Sequence, residues 1–150
     1  MIALRPYRDA DLDALARLWA ASWRSTGLAV ALEPTESELY RHNYDRIPRE
    51  LAAGWVVHLA WEDDRLVGFL ALKPADGCLD QLFVLPQSQG AGVGMMLLDL
   101  AKQLLPDGFW LRTSVDNRRA HRFYEREGCR RGAIRPHPKF GYSTAIYQWP

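Results

Sequence analysis

A chain of 150 residues, 48% of them hydrophobic and 11% aromatic, carries enough apolar surface for one folded core and lacks the composition of a disordered segment. Nineteen Lys and Arg against 18 Asp and Glu leave a formal net charge of +1, so no bulk field draws it to nucleic acid or a membrane surface. The two cysteines, Cys78 and Cys129, make no disulfide framework and read as small core residues. No run reaches the roughly 18 apolar residues of a membrane span. Near the N-terminus, Arg5 and Arg8 are followed by Asp9, Asp11 and Asp13 with no apolar stretch of the signal-peptide kind. A single domain over residues 1–150, in a reducing cytoplasm, is the expectation.

Taken in order, Ile2 to Arg5 reads as a first strand. Asp9 or Asp11 is placed to cap a helix whose Leu12, Leu15, Leu18 and Trp19 recur at helical spacing, and Gly27 ends that region. Leu28 to Leu32 shows no period and is expected to be a loop. Thr35-Glu36-Ser37-Glu38 is a capping box opening a second helix, which Pro48 is expected to break or restart before Gly54 closes it. Trp55 to Trp61, Leu66 to Leu72 and Cys78 to Leu85 are strands joined by short turns, which makes them antiparallel neighbours. A helix over Gly92 to Leu105 follows, with Met96, Leu97, Leu100, Ala101 and Leu104 on its apolar side. It leads to a strand over Phe109 to Val115 that a helical crossover sets parallel to the preceding one. Asn117 caps a short helix ended by Gly128, Cys129 to Ile134 is a strand, Arg135 to Lys139 a loop, and Tyr142 to Trp149 a last strand. The fold class is α/β, with a mixed sheet that is antiparallel at first and then includes a parallel pair, and helices on both faces.

The stretch that organises the chain runs from Leu82 to Leu98. An apolar strand, Leu82-Phe83-Val84-Leu85, is stopped by Pro86; a turn, Gln89-Gly90-Ala91-Gly92-Val93-Gly94, then opens a helix. The first N–H groups of a helix have no intrahelical partner and lie at the positive end of its dipole. Glycines allow a phosphate to approach that backbone closely. A pyrophosphate-sized anion on residues 89–94 is therefore expected. A nucleoside-triphosphate loop would need Lys and Ser or Thr where Met95 and Met96 stand. A dinucleotide fingerprint would need a third glycine at Met95, although Asp116 lies at a distance suited to a ribose contact.

Gln89, Gly92 and Gly94, behind a Leu-Phe-Val strand, fit the pattern Q/R-x-x-G-x-G/A. This resembles the acetyl-CoA signature of the GNAT superfamily of N-acetyltransferases. Downstream, Asn117, Ala120, Phe123, Tyr124 and Gly128 match a second pattern of that superfamily, N-x-x-A-x-x-F-Y-x-x-x-G-F, with Cys129 where an aromatic is usual. The resemblance covers most of the chain and is weakest from Leu28 to Gly54. It implies that the backbone of Leu82, Phe83 and Val84 bonds the pantetheine arm. It further implies that Gln89, Gly90, Ala91, Gly92, Val93 and Gly94 hold the pyrophosphate, that Asn117 contacts the cofactor, and that Tyr124 protonates the leaving thiolate. The implied activity is direct acetyl transfer from acetyl-CoA, as cosubstrate, to a primary amine of a small molecule or peptide. A catalytically silent acyl-CoA sensor of the same fold is the alternative.

An alkylammonium acceptor has a pKa near ~10.4 and must lose a proton before it attacks. Asp80, on the strand before the glycine turn, is the first candidate for the base; Glu33 and a water chain are the others. His42, His58, His121 and His137 have no ligand spacing, and no metal is expected. Arg118, Arg119 and Arg122 are a basic cluster beside the second motif, either a solvated face or a contact for a CoA phosphate. Trp23, Tyr40, Tyr44 and Trp61 fit an acceptor pocket and the core equally well, while Glu33, Glu36 and Asp80 are suited to attract a cationic amine. No nucleic acid or membrane partner is expected, and a homodimer, common in the superfamily, is left open.

Overall fold

Phe69-Leu70-Ala71-Leu72 is apolar at every position, the pattern of a strand covered on both faces. A computed structural model, describing residues 1–24 and 35–150, bears this out. The Leu28–Leu32 loop, Gly27 and Glu33 lie outside the described residues. Strands β1 (Ile2–Pro6), β2 (Val56–Glu62), β3 (Arg65–Lys73), β4 (Cys78–Val84), β5 (Phe109–Ser114), β6 (Arg130–Pro136) and β7 (Ser143–Trp149) form one sheet in the order β1-β2-β3-β4-β5-β7-β6. β4 and β5 are its parallel pair, and the other neighbours are antiparallel.

Each face of β3 belongs to a different core. Phe69 and Ala71 meet the helices α1 (Leu12–Arg24) and α2 (Glu36–Ala52), together with Leu15, Trp19, Ile47 and Trp55. Leu70 and Leu72 face α3 (Val93–Leu104) with Leu97, Leu98 and Ala101. A short helix, α4 (Arg118–Arg126), follows β5. Gly68 lets α3 lie close to the sheet: a Cβ there would stand 3.0 Å from the Phe83 carbonyl oxygen and 3.2 Å from side chains of Val93 and Leu97.

Several local expectations are corrected. α2 runs through Pro48 without a break. Pro48 lies in the last turns of a helix already held on the core by Ile47, which is fully buried, so packing outweighs one missing N–H. Thr35 caps α2 as expected, its Oγ1 accepting from the Glu38 N–H at 3.0 Å. Asp9 and Asp11 do not cap α1 directly but belong to a 3-10 turn ahead of it; Asp11 takes both guanidinium nitrogens of Arg5 at 2.9 Å and the Arg8 N–H at 2.8 Å. Arg135 and Pro136 extend β6 instead of opening a loop, because both pair with β7. On α3 the buried face is Val93, Leu97, Leu98 and Ala101, and Leu104 is exposed.

Candidate active site

The site follows from how β4 and β5 meet. Their only paired position is Cys78 opposite Trp110, after which the strands part. Two adjacent parallel strands that separate leave the facing backbone groups of each without a ladder partner. Into this opening, at its far end, the glycine turn and α4 bring their own groups. The result is a cleft of about 770 Å³ lined by Leu82, Phe83 and Val84 on one side and by Asn117, Ala120, Phe123 and Tyr124 on the other. Gln89, Gly90, Gly92, Gly94 and Met95 close one end.

The turn has the geometry an anion needs. Gly90 and Gly92 have φ of 90° and 84°, and a Cβ at either would meet nothing within 4 Å, so the space in front of both is open. The first α3 amide with an acceptor at the helix start is Met96, bonded to the Gly92 carbonyl at 3.0 Å. The N–H groups of Val93, Gly94 and Met95 are left over as the unpaired first turn. The Val93 side chain points into the core, so only its backbone is available. Gln89 uses its side-chain amide to bind the Val84 carbonyl at 3.1 Å, tying the turn back to β4. Ala91 does not line the cleft wall. The donor set is thus a row of backbone amides with no side chain in front of it, which fits a pyrophosphate.

On the opposite wall Asn117 caps α4, its Oδ1 accepting from the Ala120 N–H at 3.2 Å. Its amide NH₂ is not used by the cap. Tyr124 is 7% exposed, and burial pushes its phenol well above the ordinary tyrosine value. Among the described residues its hydroxyl has no hydrogen-bond partner. The helix carrying both residues is anchored by His121, whose Nε2 faces the carbonyls of Ser114 and Val115 at 3.0 and 3.1 Å and whose Nδ1 lies 2.7 Å from the Tyr147 hydroxyl. Two carbonyls can only accept, so Nε2 carries the proton and Tyr147 donates to Nδ1. His121 is thus a satisfied structural histidine. Arg118, Arg119, Arg122 and Arg126 are exposed and stand along the rim of the cleft.

Asp80 lies behind the cleft, at a bulge. Ala71 pairs with Gln81 and Leu72 with Leu79, which leaves Asp80 as the extra residue of β4. The inserted residue explains why Leu79 and Leu82, three apart, both face the α3 side of the sheet. Asp80 turns to the other side, where the Trp55 indole N–H donates to its Oδ2 at 2.8 Å. It makes no ion pair among the described residues. Neither Trp55 nor Arg112, which shares this face, was singled out from the sequence. Arg112 had a signal, a cation alternating with the apolar residues of β5; Trp55 had none. Trp61 lies at the β1 edge under the Arg5 guanidinium, 4.7 Å from its ring centroid, away from Asp80. No group of metal-ligating side chains occurs among the described residues. No helix among them is long and apolar enough to cross a membrane.

The family model described as the acetyltransferase (GNAT) family matches residues 12–129. No curated protein matches the chain. Among solved structures, apo YjaB from Escherichia coli is 23% identical, with a TM-score of 0.77 over 99% of this chain and 97% of that one. The PaiA N-acetyltransferase from Thermoplasma acidophilum, in complex with coenzyme A, is 20% identical with a TM-score of 0.73, covering 97% of this chain and 98% of that one. An acetyltransferase from Thermus thermophilus is 22% identical with a TM-score of 0.73, over 100% of this chain and 97% of that one. At these identities the likeness establishes the fold.

Proposed function

The chain belongs to the acetyltransferase (GNAT) family, and from that premise we propose that it transfers the acetyl group of acetyl-CoA directly to a primary amine of a small molecule or peptide. The observation that carries this reading is the parting of β4 from β5 beyond Cys78 and Trp110, which opens a cleft ending on the glycine turn. The coenzyme A bound by the PaiA enzyme of the same fold supports it.

The thioester supplies an activated acetyl group, and the chain supplies the rest. Backbone groups of Leu82 to Val84 receive the pantetheine arm as a strand would. The amides of Gly90 and of Val93 to Met95 take the pyrophosphate, while the Ala91 N–H is held by the Ser88 carbonyl, and the arginines of α4 balance its charge. Backbone donors of β4 facing the carbonyl stabilise the charge that grows on its oxygen; such donors have been worth roughly 2.7–4 kcal/mol where one was deleted. The Asn117 NH₂ orients the arm. Tyr124 stays protonated, since burial raises its pKa, and donates to the departing sulfur. Asp80 removes the ammonium proton from the acceptor through the oxygen that Trp55 does not hold.

The test is the thermal midpoint with and without acetyl-CoA, with NAD as the control. At ~100 Kd a ligand adds about 2.7 kcal/mol, which for a chain this size is a rise of roughly 5–10 °C. A rise with acetyl-CoA alone, followed by amine-dependent release of free thiol, supports the proposal. No rise at millimolar acetyl-CoA overturns it.

A further inference from the structure

The sheet face behind the cleft holds two opposite charges that do not neutralise each other. Cys78 pairs with Trp110 in parallel register, and two residues further along each strand, where β4 and β5 have begun to part, Asp80 and Arg112 stand on the face that carries α1 and α2. They make no ion pair with each other or with any other described residue. Asp80 takes its one hydrogen bond among the described residues from the Trp55 indole and acts through space on Lys73, and the Arg112 guanidinium lies over the Trp110 ring, 5.2 Å from its centroid. The nearest other cations make their contacts with Glu50. Glu50 takes Lys73 at 3.3 Å and Arg46 at 4.0 Å. A carboxylate and a guanidinium on one face, both partly buried and neither in an ion-pair contact, leave charged groups that a ligand carrying both signs would complete.

We propose that the acceptor is an amino carboxylate, a free amino acid or a close derivative, seated with its ammonium on Asp80 and its carboxylate on Arg112. This rests on the acetyltransferase reading of the cleft and deepens it. Adjacent strands stand about 4.8 Å apart where they pair, and more where they part, a gap suited to the two charged groups of one small zwitterion. Asp80 is two residues from Leu82, about 6–7 Å along the strand, so an amine on Asp80 lies next to the wall that receives the thioester. A guanidinium binds a carboxylate through two parallel N–H donors, which an amide or ester cannot match. The electrostatics agree. Arg112 is close enough to depress the Tyr142 phenol against the upward push of burial. It also joins burial, the larger effect, in lowering the His137 pKa together with Arg46 and Lys139, while Asp80 pulls it the other way.

The experiment measures thiol release from acetyl-CoA with three sets of amines: the twenty free amino acids, their matched amino amides, and aliphatic diamines. Wild-type protein is expected to use at least one amino acid with kcat/KM about tenfold or more above its amide. Arg112→Gln is expected to raise KM for that amino acid about 10- to 100-fold and erase the preference, with acetyl-CoA affinity unchanged. Arg112→Lys, which keeps the charge without the fork, recovers part of it and replaces Arg112→Gln if that variant fails to fold. Amides or diamines used as well as amino acids overturn the inference while leaving the acetyltransferase standing. So does an equal loss on amino acid and amide in both variants, or no turnover across the panel by protein that binds acetyl-CoA. Failure to bind acetyl-CoA overturns the underlying reading instead.

Discussion

The indole N–H of Trp55 donates a 2.8 Å hydrogen bond to Oδ2 of Asp80, the extra residue in the bulge of β4. One carboxylate oxygen is thereby fixed and the other is left to act. Trp55 is itself held in the core by Trp19, ring centroid to ring centroid 5.5 Å. Trp55→Phe keeps that packing and removes the donor. A hydrogen bond to a charged group contributes about 1.5–3 kcal/mol, so steady-state kinetics are expected to show kcat/KM for the amine lower by about tenfold or more. Acetyl-CoA affinity is expected to stay the same. An unchanged kcat/KM means that Asp80 needs no such orientation.

Tyr124→Phe removes the hydroxyl and leaves the ring against Phe123 and Tyr147. The expected fall in kcat is about 10²–10⁴-fold, read under single-turnover conditions so that chemistry limits. The folded-state pKa is raised by burial. Protonated Tyr124 therefore contributes stability fully below the unfolded value of ~10, and this is lost as pH rises toward the folded value. Wild-type protein should lose stability more steeply above about pH 10 than the Phe variant, as thermal melts across that range would show.

Gly92→Leu and Gly77→Leu separate strain from binding. Both glycines have positive φ, 84° and 60°, with open space where a Cβ would go. Both substitutions incur about 1–2 kcal/mol of left-handed backbone strain, so similar losses of Tm are expected. Only Gly92 lines the cleft. Titration should show acetyl-CoA affinity falling more than tenfold for Gly92→Leu and unchanged for Gly77→Leu; equal affinities would remove the phosphate cradle from the account.

Asp11 ties β1 to the start of α1 through Arg5 and the Arg8 N–H. The Arg5 hydrogen bonds, more than any other influence, hold its carboxyl below the ordinary aspartate range. The resulting stability is present above the unfolded value of ~3.9 and is lost as pH falls through the lower folded value. Asp11→Asn should lower Tm at pH 7, and the gap to wild type should close below about pH 4. A gap that persists at pH 2 would show that shape, not charge, makes the contact.

Much of the cleft was legible because its parts are neighbours in the chain. The glycines of residues 90–94 bring their own backbone to the cleft, and Asn117 caps the helix that carries Ala120, Phe123 and Tyr124. Such groups are placed by local geometry that spacing alone expresses. Pro48 and Leu104 misled for the opposite reason. A proline inside α2 and a leucine at the end of α3 are decided by what the neighbouring elements leave to bury, and no local pattern records that.

The sequence by itself determined the order of strands and helices, the glycine turn before α3, the capped helix after β5 and, with them, the fold class. Each is a matter of hydrophobic period, turn chemistry or capping within a few residues. Tertiary structure alone decided that β4 and β5 part after one paired position, that Trp55 reaches Asp80 across 25 residues, and that Asp80 and Arg112 share one sheet face without an ion pair between them. Those contacts depend on strand register and on a one-residue bulge, which shift side chains between faces and between neighbours while leaving the local pattern of the chain unchanged.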